Sequence, residues 1–191
     1  MKKLAVPLLL CCSVLASGCG SMLATVEANP IKDDPAKRTM AQRLEDESIE
    51  IKSIVNIHAA DKRFDEAHLV AVSYNGFVLL AGQVEDAALK TAAAEEVRKI
   101  RGVRRIYNEL EIGVPTPALV RTSDAWITTK IKAWLLGNVD TPGVRTKVVT
   151  ENGVVYLMGL VKQEEANRIA DVAASVTGVK RVVQLFEIVP T

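Results

Sequence analysis

Val70-Ala71-Val72-Ser73-Tyr74-Asn75-Gly76-Phe77-Val78-Leu79-Leu80-Ala81-Gly82-Gln83-Val84 returns later in the chain as Lys147-Val148-Val149-Thr150-Glu151-Asn152-Gly153-Val154-Val155-Tyr156-Leu157-Met158-Gly159-Leu160-Val161. Superposed, the stretches align Asn75-Gly76 with Asn152-Gly153, Gly82 with Gly159, and Val84 with Val161. An Asn-Gly pair between β-branched runs marks a two-residue hairpin, because both central residues of a type I′ turn need positive φ. Each stretch is expected to form one antiparallel hairpin, so the chain holds one folding unit twice.

Downstream of the first hairpin, Leu89, Ala92, Ala93, Val97 and Ile100 share one helical face. Arg98, Lys99 and Arg101 lie near the end of that helix, where its dipole favours cations. The second copy repeats the pattern with Glu164 and Glu165 leading, then Ala166, Ile169, Ala170, Ala173 and Val176. Gly102-Val103 and Gly178-Val179 end these helices, each glycine at a left-handed C-cap. A last strand follows in each, through Ile106, Leu110 and Ile112 or through Val182, Phe186 and Ile188. Ahead of the hairpins, Ile49, Ile54 and Ile57 in one copy and Ile127, Ile131 and Leu135 in the other mark a first helix, with Ser123 as the expected N-cap of the second. The fold class is therefore α+β: two tandem domains, each α-β-β-α-β, with a three-stranded mixed sheet covered by two helices. The boundaries are 45–112 and 123–191, joined by a linker at 113–122 that Pro115 and Pro117 stiffen.

The Asn-Gly hairpins, the Leu-x-Gly-x-Val exits at Leu80–Val84 and Leu157–Val161, and the Gly-Val turn before each last strand resemble the BON domain. The resemblance covers the two copies. With the stretch Asp124-Ala125-Trp126-Ile127-Thr128-Thr129-Lys130, it extends to outer-membrane lipoproteins that carry two BON copies. It implies phospholipid binding or an interaction module of the periplasm, and a part in outer-membrane integrity and cell division.

The amino terminus agrees. Lys2 and Lys3 precede the apolar run Leu4 to Leu15, then Ala16-Ser17-Gly18-Cys19. About a dozen apolar residues fall short of the ~20 a helix needs to span a bilayer, so this stretch reads as a signal peptide over 1–18. Ala16-Ser17-Gly18-Cys19 resembles a lipobox, which implies cleavage before Cys19 and acylation of that cysteine. Gly20 stands where an aspartate would favour the inner membrane, so the resemblance implies the periplasmic face of the outer membrane. Residues 19–44 are polar and read as a lipidated tether. Cys11 and Cys12 leave with the signal, so no thiol remains for a disulfide, a metal or a nucleophile.

Composition narrows the function further. With 24 Lys and Arg against 23 Asp and Glu, and aromatics at 4%, the chain has neither the field nor the stacking surface of a nucleic-acid binder. His58 and His68 are the only imidazoles, and neither has a partner at metal or triad spacing. Arg104-Arg105 and Lys180-Arg181 read as solvated strand ends. The sequence predicts no enzyme, no cofactor and no metal site.

Trp126 stands apart. On a helix containing Ile127, Ile131, Trp134 and Leu135, it projects roughly 90° or more from the centre of the core face, whereas Trp134 is expected inside the core. An off-core indole beside a lysine suits the headgroup layer of a bilayer. The candidate lipid-binding residues are Trp126, Ile127, Thr129, Lys130, Ala133 and Leu136. Charge supports the choice of copy: residues 45–112 hold 13 acids and 9 bases, net −4, whereas residues 124–191 hold 7 acids and 8 bases, net +1. Only the second copy is fit to meet an anionic membrane of the phosphatidylglycerol or cardiolipin type. The competing reading is a periplasmic adaptor whose copies bind an envelope protein, such as a regulator of cell-wall amidases or an outer-membrane assembly factor. A hydrolase has no residues to carry it.

Overall fold

Both Asn-Gly pairs take the backbone their chemistry demands, with φ of 53° and 74° at Asn75 and Gly76 and of 50° and 77° at Asn152 and Gly153. This is a computed structural model that describes residues 34, 36–138 and 141–190. The expected signal peptide, Cys19 and most of the tether lie outside the described residues. In chain order the elements are α1 (Met40–Ala60), β1 (His68–Tyr74), β2 (Phe77–Val84), α2 (Ala87–Arg98), β3 (Arg105–Asn108) and β4 (Glu111–Ile112). The second copy follows with α3 (Ala118–Gly137), β5 (Thr146–Glu151), β6 (Val154–Val161), α4 (Gln163–Ala174), β7 (Arg181–Gln184) and β8 (Glu187–Ile188).

Within each copy the hairpin closes tightly, Tyr74 opposite Phe77 and Glu151 opposite Val154. A helix then carries the chain across to a third strand that runs parallel to the middle one. That third strand is broken: β3 and β4 both pair with β2, and β7 and β8 both pair with β6. Leu110 and Leu185, at the two breaks, are buried.

Two boundaries differ from the sequence reading. The first copy begins at Met40, where Thr39 and Gln42 form a reciprocal cap: the Gln42 amide donates to Thr39 Oγ1 at 3.2 Å, and the Thr39 amide to Gln42 Oε1 at 2.7 Å. The second copy's first helix starts at Ala118 behind Pro117, so Ser123 lies inside the helix and the linker shrinks to 113–117. The reason is local. A proline just ahead of the first helical residue costs no hydrogen bond there, so it opens a helix where it was read as stiffening a linker.

The larger difference concerns the sheets. The helices α1 and α2 cover one face of the first sheet, packing Ile49, Ile57, Leu89 and Val97 on Val78, Leu80 and Val84. Ile127, Ile131 and Ile169 do the same on Val155, Leu157 and Val161. The opposite faces do not meet water. Phe77, Leu79 and Ala81 of β2 share a third core with Val154, Tyr156, Met158 and Leu160 of β6. The two sheets are thus back to back, with helices outside, and every residue of β2 and β6 is buried. Burial pushes the Tyr156 phenol up to about 12. Polar bonds cross the same seam: Tyr74 Oη donates to the Arg145 carbonyl at 2.7 Å, Lys147 Nζ meets Glu50 at 2.6 Å, and Arg104 grips both oxygens of Glu187 at 2.8 Å. Arg104 is therefore a bridge between copies rather than a solvated strand end.

Candidate functional site

The helix α3 is held by its inner face, which also sets what it can offer outward. Ile127, Ile131 and Leu135 are buried in the second core, and Asp124, on the same face, accepts the amides of Asn152 and Gly153 at 2.8 Å each. An aspartate one turn before the first core isoleucine thus ties the helix to the tip of its hairpin. The first copy uses the same device. Asp46 accepts the Asn75 and Gly76 amides at 2.8 and 2.9 Å, and adds Ser73 Oγ and Arg38 Nη1, both at 2.6 Å. Burial alone would push the Asp46 carboxyl up, but these four donors outweigh it and hold the carboxyl below the usual range. Sequence reasoning missed both aspartates as structural residues. The available signal was an acid at an equivalent place ahead of each Asn-Gly pair.

With that inner face fixed, Trp126 points away from the core and is 60% exposed, as its helical position predicts. Trp134 corrects the expectation: it is 56% exposed, not core. The buried arc runs from Ile127 through Ile131 to Leu135, centred toward Asp124, and Trp134 falls just outside its edge by about 20°. Ile127 is the opposite correction. At 3% exposed it packs against Gly178, so it belongs to the core and cannot touch a bilayer.

The outward face is then Trp126, Lys130 and Trp134 at successive i, i+4 steps, with Ala133, Thr129 and Leu136 alongside. Together they sweep an arc of about 160°. Lys130 Nζ sits 5.0 Å from the centroid of the Trp126 ring, a cation–π distance, so the ammonium and an indole face the same side. Thr129 turns its hydroxyl back to the Ala125 carbonyl at 2.8 Å and so presents its methyl outward. The only carboxylate on α3 is the buried Asp124. A face of two indoles, ammonium and small apolar groups can lie in a polar–apolar boundary and attract negative charge.

The first helix of the other copy also exposes apolar groups, but of another kind. Met40, Leu44, Ile51 and Val55 are exposed and fall within an arc of about 60°, opposite the helix's buried face. Glu47 borders that stripe, about 20° beyond Met40, and Glu45 and Glu50 are elsewhere on the same helix. The two histidines take ordinary partners: His58 lies 3.2 Å from Asp65, and His68 lies 3.2 Å from Glu151 across the seam. Among the described residues no group of three His, Cys, Asp or Glu side chains is placed to hold a metal, and no helix is long and apolar enough to cross a membrane.

The BON domain matches this chain twice, at residues 40–114 and 123–190. The chain belongs to the BON family. The first match begins with α1, and the second begins five residues inside α3. The outer membrane lipoprotein DolP of Haemophilus influenzae is 34% identical over 195 residues, covering 98% of this chain and 96% of its own. A 21 kDa hemolysin of Actinobacillus pleuropneumoniae is 34% identical over 152 residues, covering 80% of this chain and 78% of its own. The osmotically-inducible protein Y of Escherichia coli is 33% identical over 108 residues, 55% of this chain and 54% of its own. The full-length similarity to DolP covers both BON copies and the polar stretch that precedes them.

Proposed function

We propose that this protein is a lipid-anchored, non-enzymatic component of the outer membrane that faces the periplasm and binds anionic phospholipid through α3 of its second BON domain. The observation that carries the reading is the Trp126–Lys130–Trp134 face. Indoles are at their most favourable in the headgroup layer, where the ring is buried and the N–H stays wet, and the lysine adds about 1 kcal/mol of attraction at an anionic surface. Full-length similarity to a lipoprotein named for the outer membrane, together with Ala16-Ser17-Gly18-Cys19, supports anchoring through Cys19. One acylated terminus and one interfacial helix act together, since two weak membrane signals hold where one is marginal. The roles in envelope integrity and cell division that the family resemblance implies would act through this attachment.

The exposed aliphatic stripe of α1 favours a second activity in the other copy. Met40, Leu44, Ile51 and Val55 with Glu47 at their edge suit an envelope protein with a basic rim rather than an anionic bilayer, which would repel Glu47.

The test pairs vesicle flotation with circular dichroism. In the unacylated Cys19→Ser chain, Trp126→Glu combined with Trp134→Glu should abolish flotation with phosphatidylglycerol vesicles while the spectrum is unchanged, because both side chains are exposed. Ile131→Glu is the contrasting variant and should unfold the domain by burying an unpaired charge. If the folded double variant floats like the parent, the lipid site is not α3.

A further inference from the structure

The α3 helix begins at Ala118, five residues before the second BON match, in a stretch that the sequence pattern assigns to the linker. Its first turn is pinned. The Val120 and Arg121 amides donate to the Pro117 carbonyl at 3.0 and 3.2 Å, and Val120 is half-buried on the inner side. Just ahead, the buried Thr116 donates from its amide and from its hydroxyl to one acceptor, Gln83 Oε1, at 2.9 and 2.6 Å. Gln83 lies in β2, at the place that Leu160 takes in the second copy. The first domain thus holds the start of the helix that carries the outward face.

That extra turn aims Leu119 outward. Leu119 is 82% exposed, stands seven residues before Trp126, and lies within about 20° of it around the helix. Ala133 comes a further seven residues on, so the three form one line along the middle of the outward arc, whereas Trp134 and Leu136 lie at its margins. A lone exposed leucine is ordinary on any protein surface; one that continues a line through an exposed indole is part of a patch. Two further observations fit an apolar neighbour. No acid occurs from Ala118 to Ser123. Thr122 turns its hydroxyl to the Ala118 carbonyl at 3.0 Å, as Thr129 does to Ala125, so both threonines present methyl groups and little is left to desolvate.

We propose that the membrane-binding surface starts in the segment between the domains: Leu119 enters the same anionic bilayer as Trp126, and α3 lies along the membrane plane from Leu119 to Leu136, about 25 Å. The inference rests on the lipid reading of α3 and adds to it an anchor and an orientation, since a helix that touched the bilayer by its Trp134 end alone would leave Leu119 in water. Through Thr116 and Gln83, the anchored turn is also the one tied to the first domain.

The test uses the whole exported chain with Cys19→Ser, in which Leu119→Cys, Ala133→Cys or Thr91→Cys supplies a single thiol for a bimane label; Thr91 is exposed on α2 and serves as the reference away from the face. Each labelled protein is mixed with phosphatidylglycerol vesicles with and without a nitroxide-bearing lipid. Quenching at position 119 should match that at 133 within about twofold, and position 91 should stay unquenched. Without a label, Leu119→Glu should weaken flotation about tenfold at an unchanged thermal midpoint, and Leu119→Trp should strengthen it. A label that is quenched at 133 but not at 119 overturns the proposal and leaves the α3 reading standing, and so does a folded Leu119→Glu protein that floats like its parent. If position 133 is also unquenched and the parent does not float, the lipid reading falls and the proposal with it. An emission shift at 119 that follows protein concentration without vesicles would assign Leu119 to a second copy of the chain and overturn the bilayer as its partner.

Discussion

The first helices of the two domains, α1 and α3, do the same work inward and opposite work outward. Each packs aliphatic residues on its sheet and sends one buried aspartate to the amides of the Asn-Gly turn. Outward, α1 carries Met40, Leu44, Ile51 and Val55 among glutamates, whereas α3 carries two indoles and Lys130. Duplication preserved what folding needs, because a helix that loses its core face or its turn anchor loses the domain. The solvent faces were under no such constraint and could take different partners. The fold alone therefore assigns no function to either copy; the outward residues do.

The comparison breaks most severely at the aspartates. Asp46→Ala strips four donors of a charged acceptor and Asp124→Ala strips two, and hydrogen bonds to charged groups contribute about 1.5–3 kcal/mol each before relaxation. Urea unfolding should rank Asp46→Ala as the costlier change by at least about 2 kcal/mol. An equal or reversed ranking would mean that Ser73 and Arg38 add nothing to the anchor.

A smaller difference of the same sign is expected at the turns. Valine at either Gly76 or Gly153 is forced into positive φ at about 1–3 kcal/mol. At Gly76 the added Cβ would also collide with the Gly102 carbonyl oxygen, a backbone atom, whereas at Gly153 it meets only the flexible Lys180 side chain at 3.0 Å. Thermal denaturation should therefore show a lower midpoint for Gly76→Val than for Gly153→Val.

Acid sharpens the contrast between the copies. Hydrogen bonds hold Asp46 below its ordinary value against its burial, and the Arg104 hydrogen bond does the same for Glu187 at the seam. A depressed folded-state value means stability that is present above the unfolded value and is lost as pH falls through the folded one. The thermal midpoint should hold from pH 7 to about pH 5 and decline below about pH 4. In Asp46→Asn, with Arg104→Gln added, that decline should flatten.

The mildest effects belong to the outward faces. Lys130→Glu should weaken flotation on anionic vesicles less than the double tryptophan change does, by about tenfold at low salt and by less as salt is raised. Leu44→Lys with Ile51→Lys on α1 should leave flotation undiminished and stability within about 0.5 kcal/mol, as exposed positions allow. Lost flotation in that variant would place lipid contact on both helices and dissolve the distinction between them.

What the amino-acid sequence determined by itself was everything that depends on near neighbours along the chain. The hairpins follow from Asn-Gly, the crossover helices from the spacing of Leu89, Ala93 and Val97 or Ala166, Ile169 and Ala173, and the off-core place of Trp126 from the turn of its helix. Each of these is set within about one or two turns of backbone, where periodicity and φ preference dominate. Trp134 and Ile127 were misread because they lie about 20° apart on either side of one margin of the buried arc, and only the direction of the sheet beneath decides where that margin falls. The packing of one domain's sheet on the other was within reach yet unread: Phe77–Val84 and Val154–Val161 are almost unbroken apolar runs, as strands buried on both faces are. What no local pattern could supply was what the two domains make together, the Arg104–Glu187 grip and the Lys147–Glu50 pair among them. Their residues stand 83 and 97 positions apart, and tertiary packing alone brings them within hydrogen-bond distance.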